Sequence, residues 1–229
     1  MLYVLFASFL TGVGGASLGG VLGVLLGAKE RVRRALYALT AGIMLSIVCF
    51  ELVPESLETL NVLFFSIVAI SGGILIFVLE KVTGKFVKDG RKSFSVALAI
   101  ALHNFPEGMI IGSGFAIQKA LSVSLLVALH DIPEGIAASL PYVNKSKFKG
   151  ILAGFLSGIP TVLGAVLGYL FSGFSDISCA ITLAFSAGAM LYVVFSQIIP
   201  CSIDLKRNDF SGIIVIRGII LGLVFISLV

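Results

Sequence analysis

Charge is what this sequence has least of. Only 12% of its 229 residues are Asp, Glu, Lys or Arg, about half the roughly 25% of a soluble domain, and 58% are hydrophobic. That scarcity, with a mean hydropathy of +1.13, excludes an ordinary soluble fold. Cysteine is scarce as well. Cys49, Cys179 and Cys201 sit in or near apolar runs without CxxC spacing, the pattern of small buried residues, and leave the redox compartment open. No basic residue precedes the first apolar run, whereas a removable signal peptide starts with positive charge, so that run is expected to be a retained helix. HExxH is missing, and no serine–histidine or paired-aspartate arrangement stands out, which argues against an intramembrane protease or hydrolase. Histidine occurs twice only.

The apolar runs parse into eight spans, roughly 3–27, 34–54, 61–80, 93–117, 120–142, 150–172, 177–200 and 210–229. Each is about 20 residues or more, the length a helix needs to cross the hydrocarbon core. The expected fold is therefore an all-α membrane protein, one polytopic domain over 1–229 with no room for a separate soluble unit. Charge sets its orientation. Lys29, Arg31, Arg33 and Arg34 lie in the first loop, and Lys81, Lys85, Lys88, Arg91 and Lys92 in the third. Lys145, Lys147 and Lys149 follow in the fifth, and Lys206 and Arg207 in the seventh, whereas the even-numbered loops hold Lys119 alone. Basic residues accumulate on the cytoplasmic side of short loops, so both termini are expected outside the cytoplasm. The positive excess is a topology signal with some affinity for anionic lipid, and no nucleic-acid partner is expected.

The sequence repeats itself. Leu39–Ser56 and Phe185–Ser202 align without a gap at Ala41/Ala187, Gly42/Gly188, Met44/Met190, Leu45/Leu191, Val48/Val194, Pro54/Pro200 and Ser56/Ser202. Leu18–Gly23 likewise resembles Leu163–Gly168. Spans 1–3 thus correspond to spans 6–8, and with two spans between them the units must insert in opposite orientations. Such inverted repeats, here 3+2+3, are a layout of secondary transporters with a site near the midplane. Glycines spaced by four, as in Gly15, Gly19 and Gly23, mark close helix packing.

Spans 4 and 5, between the repeats, carry both histidines in two matching strings: His103-Asn104-Phe105-Pro106-Glu107-Gly108 and His130-Asp131-Ile132-Pro133-Glu134-Gly135. Carboxylates at bilayer depth are costly and mark a pathway or a bound cation. On a helix His103 projects with Glu107, and His130 with Glu134, one turn apart; Asn104 and Asp131 are displaced by about 100°. Pro106 and Pro133 strip the Leu102 and Leu129 carbonyls of their helical donors, and the glycine after each glutamate admits another backbone or an ion. Two imidazoles and two carboxylates suit zinc, iron or cobalt and tolerate manganese and cadmium. The plainer alternative is a buried polar cluster satisfied by its own hydrogen bonds. Two copies holding every histidine of the chain weigh against it.

Together, the HNFPEG and HDIPEG strings, AGIMLSIVCFELVPES on the second span and AGAMLYVVF on the seventh resemble the ZIP (Zrt/Irt-like) family, in its bacterial branch, over the whole chain. The resemblance implies a metal transporter and not an enzyme. It implies import of zinc or iron, with manganese, cobalt and cadmium as further candidates, across the cell (inner or plasma) membrane into the cytoplasm. The divalent metal is substrate, no cofactor is expected, and assembly as a homodimer is common in the family. His103, Asn104, Glu107, His130, Asp131 and Glu134 would form the transport site. Members with two adjacent metals bridge them with the motif glutamates and a further glutamate on the sixth helix. Thr161 stands at that place here, so one strong metal position is expected. Met44 matches a thioether ligand of some relatives, although its repeat partner Met190 fits a packing role equally. The remaining alternatives are a channel-like facilitator and an intramembrane metalloenzyme.

Glu51, Glu55 and Glu58 share one face at the outer end of span 2, where they would concentrate cations at a mouth. Glu51, the deepest of them, is the pathway candidate. Arg217 is the only basic residue in the interior of a span, within snorkelling reach of the cytoplasmic boundary. Ser196 and Gln197 are expected to hydrogen-bond between helices.

Overall fold

The computed structural model describes residues 1–26, 29–86, 101, 104–114, 120–143, 145–172, 175–203 and 210–227. Within them the chain is all helical apart from short turns. We label the helices α1 (Leu2–Leu26), α2 (Glu30–Leu57), α3 (Val62–Phe86), α4 (104–114), α5 (Ala120–Ser139), α6 (Lys147–Phe171), α7 (Asp176–Ser202) and α8 (Ser211–Ser227). Among the described residues five helices, α1, α2, α3, α6 and α7, are long and apolar enough to cross a membrane, and α8 is a shorter apolar helix. The long loop 83–92 and the first part of span 4 fall largely outside the described residues.

Helix boundaries follow local chemistry. Ser175 Oγ accepts from the Ser178 N–H at 3.1 Å, and Ser178 Oγ accepts from the Ser175 N–H at 2.9 Å, a reciprocal cap opening α7. Asn61 Oδ1 accepts from the Phe64 N–H at the start of α3, and Ser146 caps α6 by accepting from Lys149 N–H. Ser211 Oγ donates to the Ser202 carbonyl at 2.8 Å, tying the entry of α8 to the end of α7.

Among the described residues, three helices contain a wider π-type turn: Phe9–Val13 in α1, Val48–Leu52 in α2 and Val194–Ile198 in α7. Such turns occur often at functional sites. Those of α2 and α7 occupy matching places in the repeat, Val48 aligning with Val194, and each is followed by the aligned proline, Pro54 or Pro200.

Glycine sets which helices touch. A Cβ on Gly42 of α2 would lie 2.1 Å from the Val215 carbonyl oxygen of α8, and one on Gly188 of α7 would lie 1.7 Å from that of Ala69 of α3. Gly218 abuts the Leu39 carbonyl as Gly72 abuts that of Phe185. In every case the two contacts interchange under the register that aligns Gly42 with Gly188. The same holds around the motifs. Gly19 of α1 packs on the Ile132 carbonyl of α5 while Gly164 of α6 packs on that of Phe105 of α4. Gly135 meets Ala16, and Gly108 meets Thr161. Backbones approach this closely only without a side chain between them.

Among the described glycines these contacts divide the helices in two. α1, α4, α5 and α6 interlock with one another; of the other four, α2 interlocks with α8 and α3 with α7. Between the groups lies an apolar core of side chains, with Met44, Ile47, Val48, Met190, Val193 and Val194 from one and Ile110, Ile111, Val127 and Ala165 from the other. Large apolar side chains on the outside, such as Leu63, Ile67, Ile70 and Ile74 of α3, are exposed as a lipid-facing surface requires. This outward apolarity corrects one expectation. Cys179 is buried, but Cys49 and Cys201 are exposed. In a chain that faces lipid, an apolar neighbourhood does not imply the interior.

Candidate metal site

The site forms where α4 and α5 face each other, inside the group that α1 and α6 complete. Glu107 of α4 and Asp131 and Glu134 of α5 each present a carboxylate oxygen within 4.8 Å of the other two. All three are buried; Glu107 and Asp131 are 0% exposed and Glu134 is 3% exposed. Taking three carboxylates out of water and setting them side by side is doubly unfavourable, by desolvation and by like-charge repulsion. A divalent cation at their centre relieves both.

The sequence placed Asp131 off the shared face of His130 and Glu134. In the fold it joins the cluster because α4 lies beside α5, so the neighbour toward which Asp131 turns is Glu107. Gly15 of α1 makes this tight: a Cβ there would lie 2.9 Å from Asp131 Cβ. The glycine spacing of α1 therefore does more than pack helices; it backs Asp131. Asn104 is held by a bond the sequence did not indicate, its Nδ2 donating to the Ser157 carbonyl of α6 at 3.0 Å. Its Oδ1 is buried with no hydrogen-bond partner among the described residues, which leaves an acceptor for a cation or water.

His130 continues α5 one turn before Glu134, whereas His103 and the Leu102 carbonyl lie outside the described residues. Thr161 is fully buried, with its side chain against Gly12 of α1 and its carbonyl against Gly108, next to Glu107. Its hydroxyl has no hydrogen-bond partner among the described residues. Met44 is buried in the apolar core with its repeat partner Met190. Glu51 sits in the π-turn of α2, partly exposed and outside the three-carboxylate group. Arg217 is exposed on α8.

A buried, all-helical carboxylate cluster on paired proline-containing motifs restricts the families to consider. The sequence profile of ZIP zinc transporters matches residues 91–229, over half of the chain and including both motifs. The chain belongs to the ZIP family. "Zinc transporter ZupT" of Chlorobium luteolum is 30% identical over 100% of this chain and 95% of its own length. The ZupT of Chlorobium limicola is 33% identical over 80% of each chain. "Zinc transporter ZIP11" of Xenopus tropicalis is 40% identical over 48% of this chain and 36% of its own. This ZIP protein is therefore a multi-pass membrane protein of metal transport and not an enzyme.

Proposed function

We propose that the chain carries zinc, with iron as a second substrate, from the outside into the cytoplasm of a bacterial cell through the α4–α5 site. The observation that carries this reading is the convergence of buried Glu107, Asp131 and Glu134 at metal-ligand spacing. Carboxylate oxygens alone favour hard ions; the imidazole of His130 on the same helix shifts preference toward zinc, iron and cobalt. His103, Asn104 and the thioether of Met44 complete the proposed ligand set. In this reading all eight helices span the membrane as 3+2+3, with basic loops inside and both termini outside. The paired glycine contacts support the inverted repeat.

The mechanism follows from how the helices lock. The three carboxylates lie entirely within the α1–α4–α5–α6 group. Backbone-to-backbone glycine contacts hold that group together, and an apolar side-chain surface separates it from the α2–α8 and α3–α7 pairs. Its movement against those pairs disturbs the separating surface and leaves the interlocked helices intact. Such rocking moves the carboxylates between two openings, and it favours alternation over an open channel. Cations shed water on reaching the site, bind the deprotonated ligands, and leave on the other side. Because ligands must lose protons to bind, metal affinity is expected to fall as pH drops, which uptake measured across an acidic series checks.

The testing experiment is zinc entry into proteoliposomes that contain a zinc-sensitive dye. Saturable entry with the folded native chain is expected; no entry of zinc, iron, manganese or cadmium contradicts the reading. The same preparation tests metal number. With Thr161 in place of a bridging carboxylate, one tightly bound zinc per chain is expected, and Thr161→Glu is expected to add a second, as counted by metal analysis after dialysis.

A further inference from the structure

The two motif strings continue differently past their glutamates. Aligned on Glu107 and Glu134, Met109-Ile110-Ile111 of α4 stands opposite Ile136-Ala137-Ala138 of α5. Residues three and four places after a glutamate lie on its own face of the helix, one turn on. In α5 another face is taken by α1, whose Gly19 packs on Ile132 and Gly135 and whose Gly23 packs on Ile136 and Ser139. Ala137 and Ala138 therefore continue the wall that Glu134 begins, turned away from α1. What covers the two places also differs. Ile110 and Ile111 belong to the large buried apolar cluster, with Met44 of α2, Val127 of α5 and Leu183 of α7. Ala137 and Ala138 are just as buried but form a small cluster apart, and the partly buried side chain packed on it is Tyr37 of α2. Tyr37 packs against the large cluster as well, so it bridges the interlocked group and the helices facing it. The register that pairs Gly42 with Gly188 pairs Tyr37 with Leu183. One turn past Glu107 the closure is thus made of branched aliphatic side chains. One turn past Glu134 it is made of two methyl groups and one ring. Tyr37 follows Arg34, and Lys145 follows Ala138, so this thinner closure lies toward the basic loops.

We propose, on the transport reading and orientation given above, that Tyr37 is the cytoplasmic gate of the metal site. Its ring caps Ala137 and Ala138 below Glu134, and its withdrawal opens the way by which the ion leaves. The outer closure is shared among aliphatic side chains of α2, α4, α5 and α7, so undoing it takes movement of whole helices. The inner closure depends on one side chain. Alanine has no atoms beyond Cβ with which to fill the space the ring vacates. Tyr37 acts by blocking the path and is not a ligand of the ion.

The test is thiol labelling of the full-length chain in right-side-out and everted membrane vesicles, with the exposed cysteines silenced by Cys49→Ala and Cys201→Ala. A membrane-impermeant thiol reagent reads the inner closure through Ala138→Cys and the outer closure through Ile111→Cys. Tyr37→Ala is expected to speed labelling of Ala138→Cys from the cytoplasmic face about tenfold, the weight of a partly buried ring's apolar contacts. Labelling of Ile111→Cys should not change. Tyr37→Phe keeps the ring and should keep the native rate at Ala138→Cys. An unchanged rate at Ala138→Cys in folded Tyr37→Ala protein would overturn the gate. So would an equal rise at Ile111→Cys, the sign of general loosening, or a Tyr37→Phe rate as high as that of Tyr37→Ala, which would assign the closure to the hydroxyl. Labelling of Ala138→Cys from the outer face alone would overturn the orientation and the gate with it. Zinc entry into the same vesicles is a separate readout: a native chain without entry overturns the transport reading whatever the labelling shows.

Discussion

Glu107→Ala combined with Glu134→Ala is expected to reduce zinc entry more than about a hundredfold while the protein remains folded. Loss of groups that only support a ligand already costs ten- to a hundredfold in metal affinity. The double variant removes two of the three carboxylates that meet within 4.8 Å and leaves Asp131 as the single carboxylate of the cluster. Folding should survive, because the substitution also removes like-charge repulsion between buried groups. Dye-reported entry into proteoliposomes, with size-exclusion behaviour as the folding check, measures both. Entry that persists in the double variant would mean that the ion takes another path.

The second large effect concerns the frame. Gly188→Ala is expected to destabilise the protein by several kcal/mol or prevent its folding. The new Cβ would sit 1.7 Å from the Ala69 carbonyl oxygen, a backbone atom that no rotamer can move. Overpacking a well-filled interior typically costs 1–3 kcal/mol, and a clash with backbone lies at or above the top of that range. Gly42→Ala, its repeat partner, should behave alike at 2.1 Å from the Val215 carbonyl. Gly212→Ala is the control: nothing lies within 4 Å of its Cβ position, and helix propensity alone makes the change neutral or slightly stabilising. Thermal unfolding in detergent separates these outcomes. A Gly188→Ala protein as stable as the native chain would refute the close α3–α7 contact.

Much of this was legible in the sequence for plain physical reasons. Lipid demands long apolar helices, and carboxylates are too costly at that depth to be incidental, so the two strings pointed to a candidate site, and the fold brings Glu107, Asp131 and Glu134 of them together. The aligned Gly42 and Gly188 indicated matching contacts, although not with which helices. Three features were hidden. The π-turns were not read from the sequence, although Pro54 and Pro200 follow two of them and interrupt the helical ladder there. The meeting of Asp131 with Glu107 depends on how α4 lies against α5, which the helical spacing within either string does not contain. The Asn104 bond to the Ser157 carbonyl links residues far apart in sequence through a backbone atom that every residue possesses. The exposure of Cys49 and Cys201 was missed for another reason, because hydropathy cannot separate a lipid-facing surface from a core.

The measurement closest to the central claim is anomalous diffraction at the zinc edge from crystals of the native chain equilibrated with zinc. The expected result is one strong peak within bonding distance of Glu107, Asp131 and Glu134. No intramembrane peak should lie beside Thr161 at comparable strength. A strong peak elsewhere in the membrane, with the three carboxylates vacant, would contradict transport through this site.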